Sequence, residues 1–221
     1  MGYTFQFDVV WGNLGFLLSG VELTLIVTVA ALSSGSVVGL VVALARMSPR
    51  RWLQLPAIGY IELFRNTPAL IQLMWMYYCL PLLTGLELSA VASATLALTV
   101  NGSAYIAEII RGGIQGVDKG QVEAARTLGM SHAQTMRKIV LPQAFRRMIP
   151  PFVNESVSIL KFSSLVSVLG VADLTYQAQV LSTTTFRPIE IFTFIALVYL
   201  VLCSTLAYMA RRLELRLAVS D

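Results

Sequence analysis

Long apolar stretches separated by short charged connectors run through this chain, and their length is the first clue to its fold. An α-helix rises 1.5 Å per residue, so about 20 apolar residues cross a hydrocarbon layer about 30 Å thick. Stretches of about that length without a charged residue lie at 23–45, 66–86, 88–107 and 191–210. A fifth, 148–172, is apolar enough to span but holds Glu155 and Lys161. Each of these charges costs about 2.5–3.5 kcal/mol at a helix centre, so this helix is predicted to turn them toward protein or water and away from lipid. The pattern predicts an all-α integral membrane protein: five transmembrane helices in a single domain, residues 1–221. No basic segment precedes the first apolar run, which is also too long for a cleaved signal, so the first helix is expected to stay in place.

Composition points the same way. Of 221 residues, 56% are hydrophobic and 13% charged, and the mean hydropathy of +0.72 lies far from that of a soluble domain. A net charge of +4 and a pI near 9.3 would suit a nucleic-acid binder. The basic residues, however, form no single soluble patch, so no nucleic-acid partner is expected and membrane lipid is the surrounding. They sort by connector instead. Arg46, Arg50 and Arg51 follow the first span; Arg111, Lys119, Arg126, Arg137, Lys138, Arg146 and Arg147 lie between the third and fourth; Arg211, Arg212 and Arg216 follow the fifth. The connectors on the opposite side, near 84–87 and 173–188, carry only Arg187 and are predicted to be short loops. Because cytoplasmic loops retain Lys and Arg, the N-terminus is expected outside and the C-terminus in the cytoplasm. Cys79 and Cys203 fall within predicted spans, where they read as small hydrophobes and not as a disulfide. Gly35 and Gly39 form a GxxxG spacing that predicts close helix packing.

The longest polar connector, 120–142, has a local structure of its own. Residues 121–128 are good helix formers and end at Gly129, which suits the left-handed conformation that terminates helices. Ser131 and Gln134 then fit a capping box that opens a second short helix, which Pro142 is expected to end. The product is a helix-turn-helix elbow outside the membrane. Glu62 with Arg65, and Glu108 with Arg111, stand three residues apart and are expected to form ion pairs at the membrane boundary.

In this elbow Glu123-Ala124-Ala125, Gly129 and Ile139-x-Leu141-Pro142 keep the order and spacing of the EAA loop, so the segment resembles permease subunits of ATP-binding-cassette importers. The resemblance extends through Gly20-x-x-Leu23-Thr24-Leu25, the run from Glu62 to Pro68 and the run from Ser103 to Ile114, which look like the polar amino acid branch of those permeases. It implies a type I ABC importer permease fold in a bacterial inner membrane, with 120–142 as the coupling loop. It also implies that Glu123 engages a basic or hydrogen-bonding partner on the ATPase, that Ala124 and Ala125 permit close approach, and that Gly129 sets the elbow angle. The implied partners are two ATP-binding-cassette ATPase subunits, a second permease subunit, identical or paralogous, and an extracytoplasmic amino-acid-binding protein. ATP and Mg would be bound by the partner ATPase, with no cofactor in this chain.

At 100° per residue, Asn154, Ser158 and Lys161 form one polar stripe on the fourth span with Glu155 on its flank, while Asn101, Tyr105 and Glu108 share a face of the third. Six residues set Glu155 and Lys161 about 9 Å apart along the axis and about 120° around it, so they do not neutralise each other. A zwitterionic amino acid would compensate both, its ammonium toward Glu155 and its carboxylate toward Lys161, with Asn101, Ser158, Ser163 and Ser164 as neutral partners. Neighbouring helices or a second subunit satisfying these groups is the alternative. Family resemblance places a substrate-contacting cluster, usually Lys-Asp-Thr-Ser, on Lys161-Phe162-Ser163-Ser164. Phe162 stands where the aspartate would, which favours acidic or neutral substrates over cationic ones.

No GxxxxGK[ST] phosphate loop occurs, His132 is the only histidine, and no metal set or nucleophile-base pair is apparent, so the chain is not expected to be an enzyme. An ion-gradient transporter or channel, which would leave the coupling motif without a role, and a non-transporting membrane scaffold are the rival readings.

Overall fold

The computed structural model describes residues 3–218, with the side chains of Arg211 and of 213–218 outside the described set. The orienting charges read at Arg211 and Arg216 therefore lie outside the described side chains. Every described element is helical: α1 (Asp8–Gly12), α2 (Leu14–Arg46), α3 (Arg51–Arg65), α4 (Ala69–Thr84), α5 (Ala90–Gln115), α6 (Lys119–Thr127), α7 (His132–Leu169), α8 (Leu174–Thr185) and α9 (Pro188–Ala218). Four of them, α2, α5, α7 and α9, are long and apolar enough to cross a membrane, and the shorter apolar α4 lies where the second of the five spans is predicted.

Small residues bring the helices together around α5, the most buried of the long ones. Lipid tails are as apolar as leucine, so packing in a bilayer depends on van der Waals contact between close backbones. The predicted role of Gly35 and Gly39 holds: a Cβ on Gly39 would stand 2.9 Å from the Ser103 carbonyl oxygen of α5, and one on Gly35 would stand 3.3 Å from that of Thr99. Gly102 and Gly113 receive Ile159 and Met148 of α7 in the same way. The central core joins Val27 and Ala31 of α2, Leu73 of α4, Ala97 and Leu98 of α5, and Ile159 and Val166 of α7. Cys79 and Cys203 are both free and half-buried.

Three expectations change. The connector 173–188, read as a loop, contains α8, because Asp173 caps it by accepting from the Thr175 and Tyr176 amides. Leu174, Ala178 and Leu181, spaced i, i+4, i+7, bury one face against Leu17 and Ile191. The second span begins at Ala69 and not at residue 66, since Asn66-Thr67-Pro68 breaks the chain between α3 and α4 and Pro68 is extended.

The third change concerns Pro142, which does not end a helix. A wide turn at Met136–Val140 closes with the Leu141 amide donating to the Met136 carbonyl five residues back, and the helix then continues through Pro142. The missing N–H of Pro142 and the bulk of its ring are thereby accommodated without a break. Leu80-Pro81 in α4 follows an identical wide turn at Trp75–Cys79, closed by the Leu80 amide on the Trp75 carbonyl.

Candidate functional site

The elbow forms as its sequence demands. Asp118 opens α6 by accepting from the Gly120 amide, which moves the helix start to Lys119, two residues earlier than read. Gly129 adopts φ 77°, while the Gly129 and Met130 amides donate to the carbonyls of Arg126 and Ala125. This pairing is the Schellman closure of a helix C-terminus. Ser131 and Gln134 then cap α7 reciprocally. Glu123 and Ala124 are exposed, whereas Ala125 is only 1% exposed, so its small side chain serves packing within the chain. Leu128, 82% exposed beside Gly129, was not singled out from the sequence.

At the elbow end of α5, Glu108 gathers three guanidinium groups. Arg111 lies at 2.8 Å as its spacing predicts, Arg46 of α2 at 3.1 Å and Arg65 of α3 at 3.7 Å. Glu62 pairs differently from the expectation: its carboxylate accepts from Asn66 Nδ2, and Arg65 turns to Glu108. Arg65 also lies over the Tyr105 ring, 5.3 Å from its centroid, and its carbonyl accepts from the Tyr105 hydroxyl.

The break at 66–68 is stapled to α5. Asn101 Nδ2 donates to the Phe64 carbonyl and to Gln72 Oε1, and Gln72 Nε2 donates back to Phe64 and Thr67. Two cavities with Arg65 in their walls flank this joint. The first, about 560 Å³, lies between α5 and α7 at the elbow end and includes Arg65, Tyr105, Glu108, Arg147 and Glu155 in its wall. The second, about 430 Å³, is bounded by the 65–70 segment, Asn101, Tyr105, Phe162 and Leu165. Arg65 and Tyr105 belong to both walls.

Of the residues read as a substrate site, the structure brings Asn101, Glu155 and Phe162 to these cavities. Asn101 and Glu155 are buried, and Asn101 Oδ1 and Glu155 Oε1 have no hydrogen-bond partner. The other four lie elsewhere. Lys161 is exposed, and neither cavity wall includes it. The Ser158, Ser163 and Ser164 hydroxyls donate to the carbonyls of Asn154, Leu160 and Lys161 on their own helix. The polar stripe is split because Glu155 shares the covered face of α7 with Ile159, four residues on, which packs over Gly102 of α5, while Lys161 lies on the exposed side. Asn101, Tyr105 and Glu108 do share one face, and all three meet the Phe64–Arg65 segment. Arg65, Gln72 and Arg46 were not read as partners of that face; an arginine beside an Asn-Thr-Pro break was the available signal.

Comparison with known proteins adds relatives to this geometry. The family described as binding-protein-dependent transport system inner membrane component matches residues 35–219. The glutamine transport system permease protein GlnP of Escherichia coli (strain K12) is 36% identical over 216 residues, covering 97% of this chain and 99% of that protein. The probable glutamine ABC transporter permease protein GlnM of Bacillus subtilis (strain 168) is 40% identical over 211 residues, 94% of this chain and 97% of its own. The arginine transport system permease protein ArtQ of the same organism is 36% identical over 206 residues, covering 93% and 94%. Among solved structures, a chain of an amino acid ABC transporter crystallised with histidines superposes with a TM-score of 0.92 at 41% identity, covering 97% of this chain and all of that one. An inward-facing MetNI methionine ABC transporter gives 0.78 at 21% identity, which speaks for the fold alone.

Proposed function

The chain belongs to the binding-protein-dependent transport system inner membrane components, and from that membership we propose that it forms half of the path by which a polar amino acid crosses a bacterial inner membrane. It is the permease component of an amino-acid ABC importer. ATP and Mg are held by two separate ATPase subunits that dock on α6 and the Gly129 turn. A second permease subunit, identical or paralogous, completes the path, and an extracytoplasmic binding protein delivers the substrate. The elbow faces the cytoplasm, with the N-terminus outside.

The observation that carries this reading is the doubly capped elbow. Two cap systems, the Schellman closure at Gly129 and the reciprocal box at Ser131–Gln134, hold α6 and the start of α7 at a set angle while Glu123, Ala124 and Leu128 stay exposed. A lever of this kind transmits force only if it does not bend at its corner. Binding of ATP shifts the helices between inward-open and outward-open only if it favours one of the two states. On the substrate side, Phe162 in the cavity wall leaves no carboxylate there for a cationic side chain, which favours neutral or acidic amino acids. The names of relatives divide between glutamine and arginine, so the side-chain preference rests on Phe162.

The test is reconstitution of the permease with its ATPase and binding protein in proteoliposomes. ATP-dependent uptake is expected, and Glu123→Arg should abolish it while leaving membrane insertion intact. Uptake that persists without ATP would refute the assignment.

A further inference from the structure

Arg65 stands in the wall between the two cavities, and among the described residues it is the one cation that lines the second. Its contact with Glu108, at 3.7 Å, is the loosest of the three. Charge-assisted N–H···O bonds close at about 2.7–2.9 Å, so the two form an ion pair without a hydrogen bond. Glu108 is already occupied, since Arg111 Nε and Nη2 donate to its two oxygens and Arg46 lies close to Oε1. The guanidinium of Arg65 therefore keeps free donors while it rests over the Tyr105 ring.

Asn101 stands in the wall of the second cavity and Glu155 in that of the first, and each carries one oxygen, Asn101 Oδ1 and Glu155 Oε1, that is buried behind that wall without a hydrogen-bond partner. An unpaired buried acceptor is costly unless a donor arrives. On the reading of this chain as an amino-acid permease, we propose that Arg65 binds the α-carboxylate of the passing amino acid in either cavity, while the ammonium turns toward the Glu155 carboxylate in the first. One cation shared by both walls serves both positions, so the substrate moves past it without giving up its carboxylate partner. Lys161, assigned this role from helical spacing, belongs to neither wall.

The proposal is tested on the complete permease–ATPase assembly in nanodiscs, without the binding protein, so that any discrimination belongs to the permease. Labelled L-glutamine, L-glutamate and L-arginine are compared with their α-carboxamides, which lack the carboxylate charge. The wild type should prefer the acid by about ten-fold or more, the worth of one charge-assisted contact. Arg65→Gln should remove that preference by weakening the acid alone. If the variant keeps the preference, or loses both ligands alike as a merely structural residue would, the proposal fails. Glu108→Gln provides an independent arm: it releases Arg65 from its competitor and should strengthen acid binding several-fold with the carboxamide unchanged. No change there, or an equal loss for both ligands, contradicts the proposal. If proteoliposomes holding the wild-type assembly and its binding protein import none of the amino acids, the permease reading falls together with the proposal, whereas normal import there with an undiminished acid preference of Arg65→Gln in nanodiscs would overturn the carboxylate assignment alone.

Discussion

Arg46 Nη1 at the end of α2 stands 3.1 Å from Glu108 Oε1 on α5, so a charge pair ties the first long helix to the centre of the bundle one residue before the chain turns toward α3. Both side chains are mostly buried, at 19% and 16% exposure. Arg46→Met should therefore lower the stability of the solubilised assembly by about 1–3 kcal/mol, since it strips a half-desolvated carboxylate of one partner. Arg51→Met, on the exposed start of α3, should cost less. Thermal unfolding followed by intrinsic fluorescence distinguishes the two.

Gly20 is where α2 meets the start of α8. A Cβ there would lie 2.6 Å from the Leu174 nitrogen and 2.7 Å from the Asp173 carbonyl, both backbone atoms that do not yield. Gly20→Ala is expected to destabilise by about 1–3 kcal/mol. Gly59→Ala, with nothing within 4 Å, should stabilise α3 by about 0.5–1 kcal/mol through helix propensity alone. Opposite shifts in melting temperature for these two alanine substitutions would verify the packing.

Gly129 has open space around it, so its requirement is conformational, at φ 77°. Gly129→Ala should cost about 1–2 kcal/mol of strain at the turn, and Gly129→Asn less. If the elbow couples to an ATPase, uptake per ATP hydrolysed should fall in the same order while the assembly remains intact. Equal coupling ratios in all three proteins would remove the turn from the mechanism.

Phe162→Asp would place a carboxylate in the wall of the second cavity, near Asn101 and Arg65. The ratio of arginine to glutamate uptake should rise by about ten-fold or more, because a like charge repels the anion and an opposite one attracts the cation. An unchanged ratio would mean that Phe162 does not touch the substrate.

How much of this was legible in the sequence depended on the range of each interaction. The Gly129 turn and the Ser131–Gln134 box are closed by residues within five positions, and both were read correctly. The Gly35–Gly39 contact was legible because small residues at helical spacing have one common use in a bilayer. Helix α8 escaped notice because its apolar spacing is brief and the segment is otherwise polar, so only Asp173 marked its start. Arg65 was assigned to Glu62, its neighbour in sequence, when its partner lies on another helix. The stripe on α7 failed for a related reason. A helical wheel gives angles but not which sector is covered, and the covered sector is the one in which Ile159 packs over Gly102 of the facing helix, which takes Glu155 inward and leaves Lys161 exposed.

The wide turn ahead of Pro142 has a further consequence for how this chain tolerates insertion and deletion. Its carbonyl at Met136 reaches five residues forward where an ordinary turn reaches four, so the segment carries one surplus residue. Deleting a single residue within 136–140 would collapse the turn to ordinary pitch and leave the buried faces on either side in register. The same deletion one turn later in α7 would rotate everything beyond it by about 100°, carrying Glu155 away from Gly102.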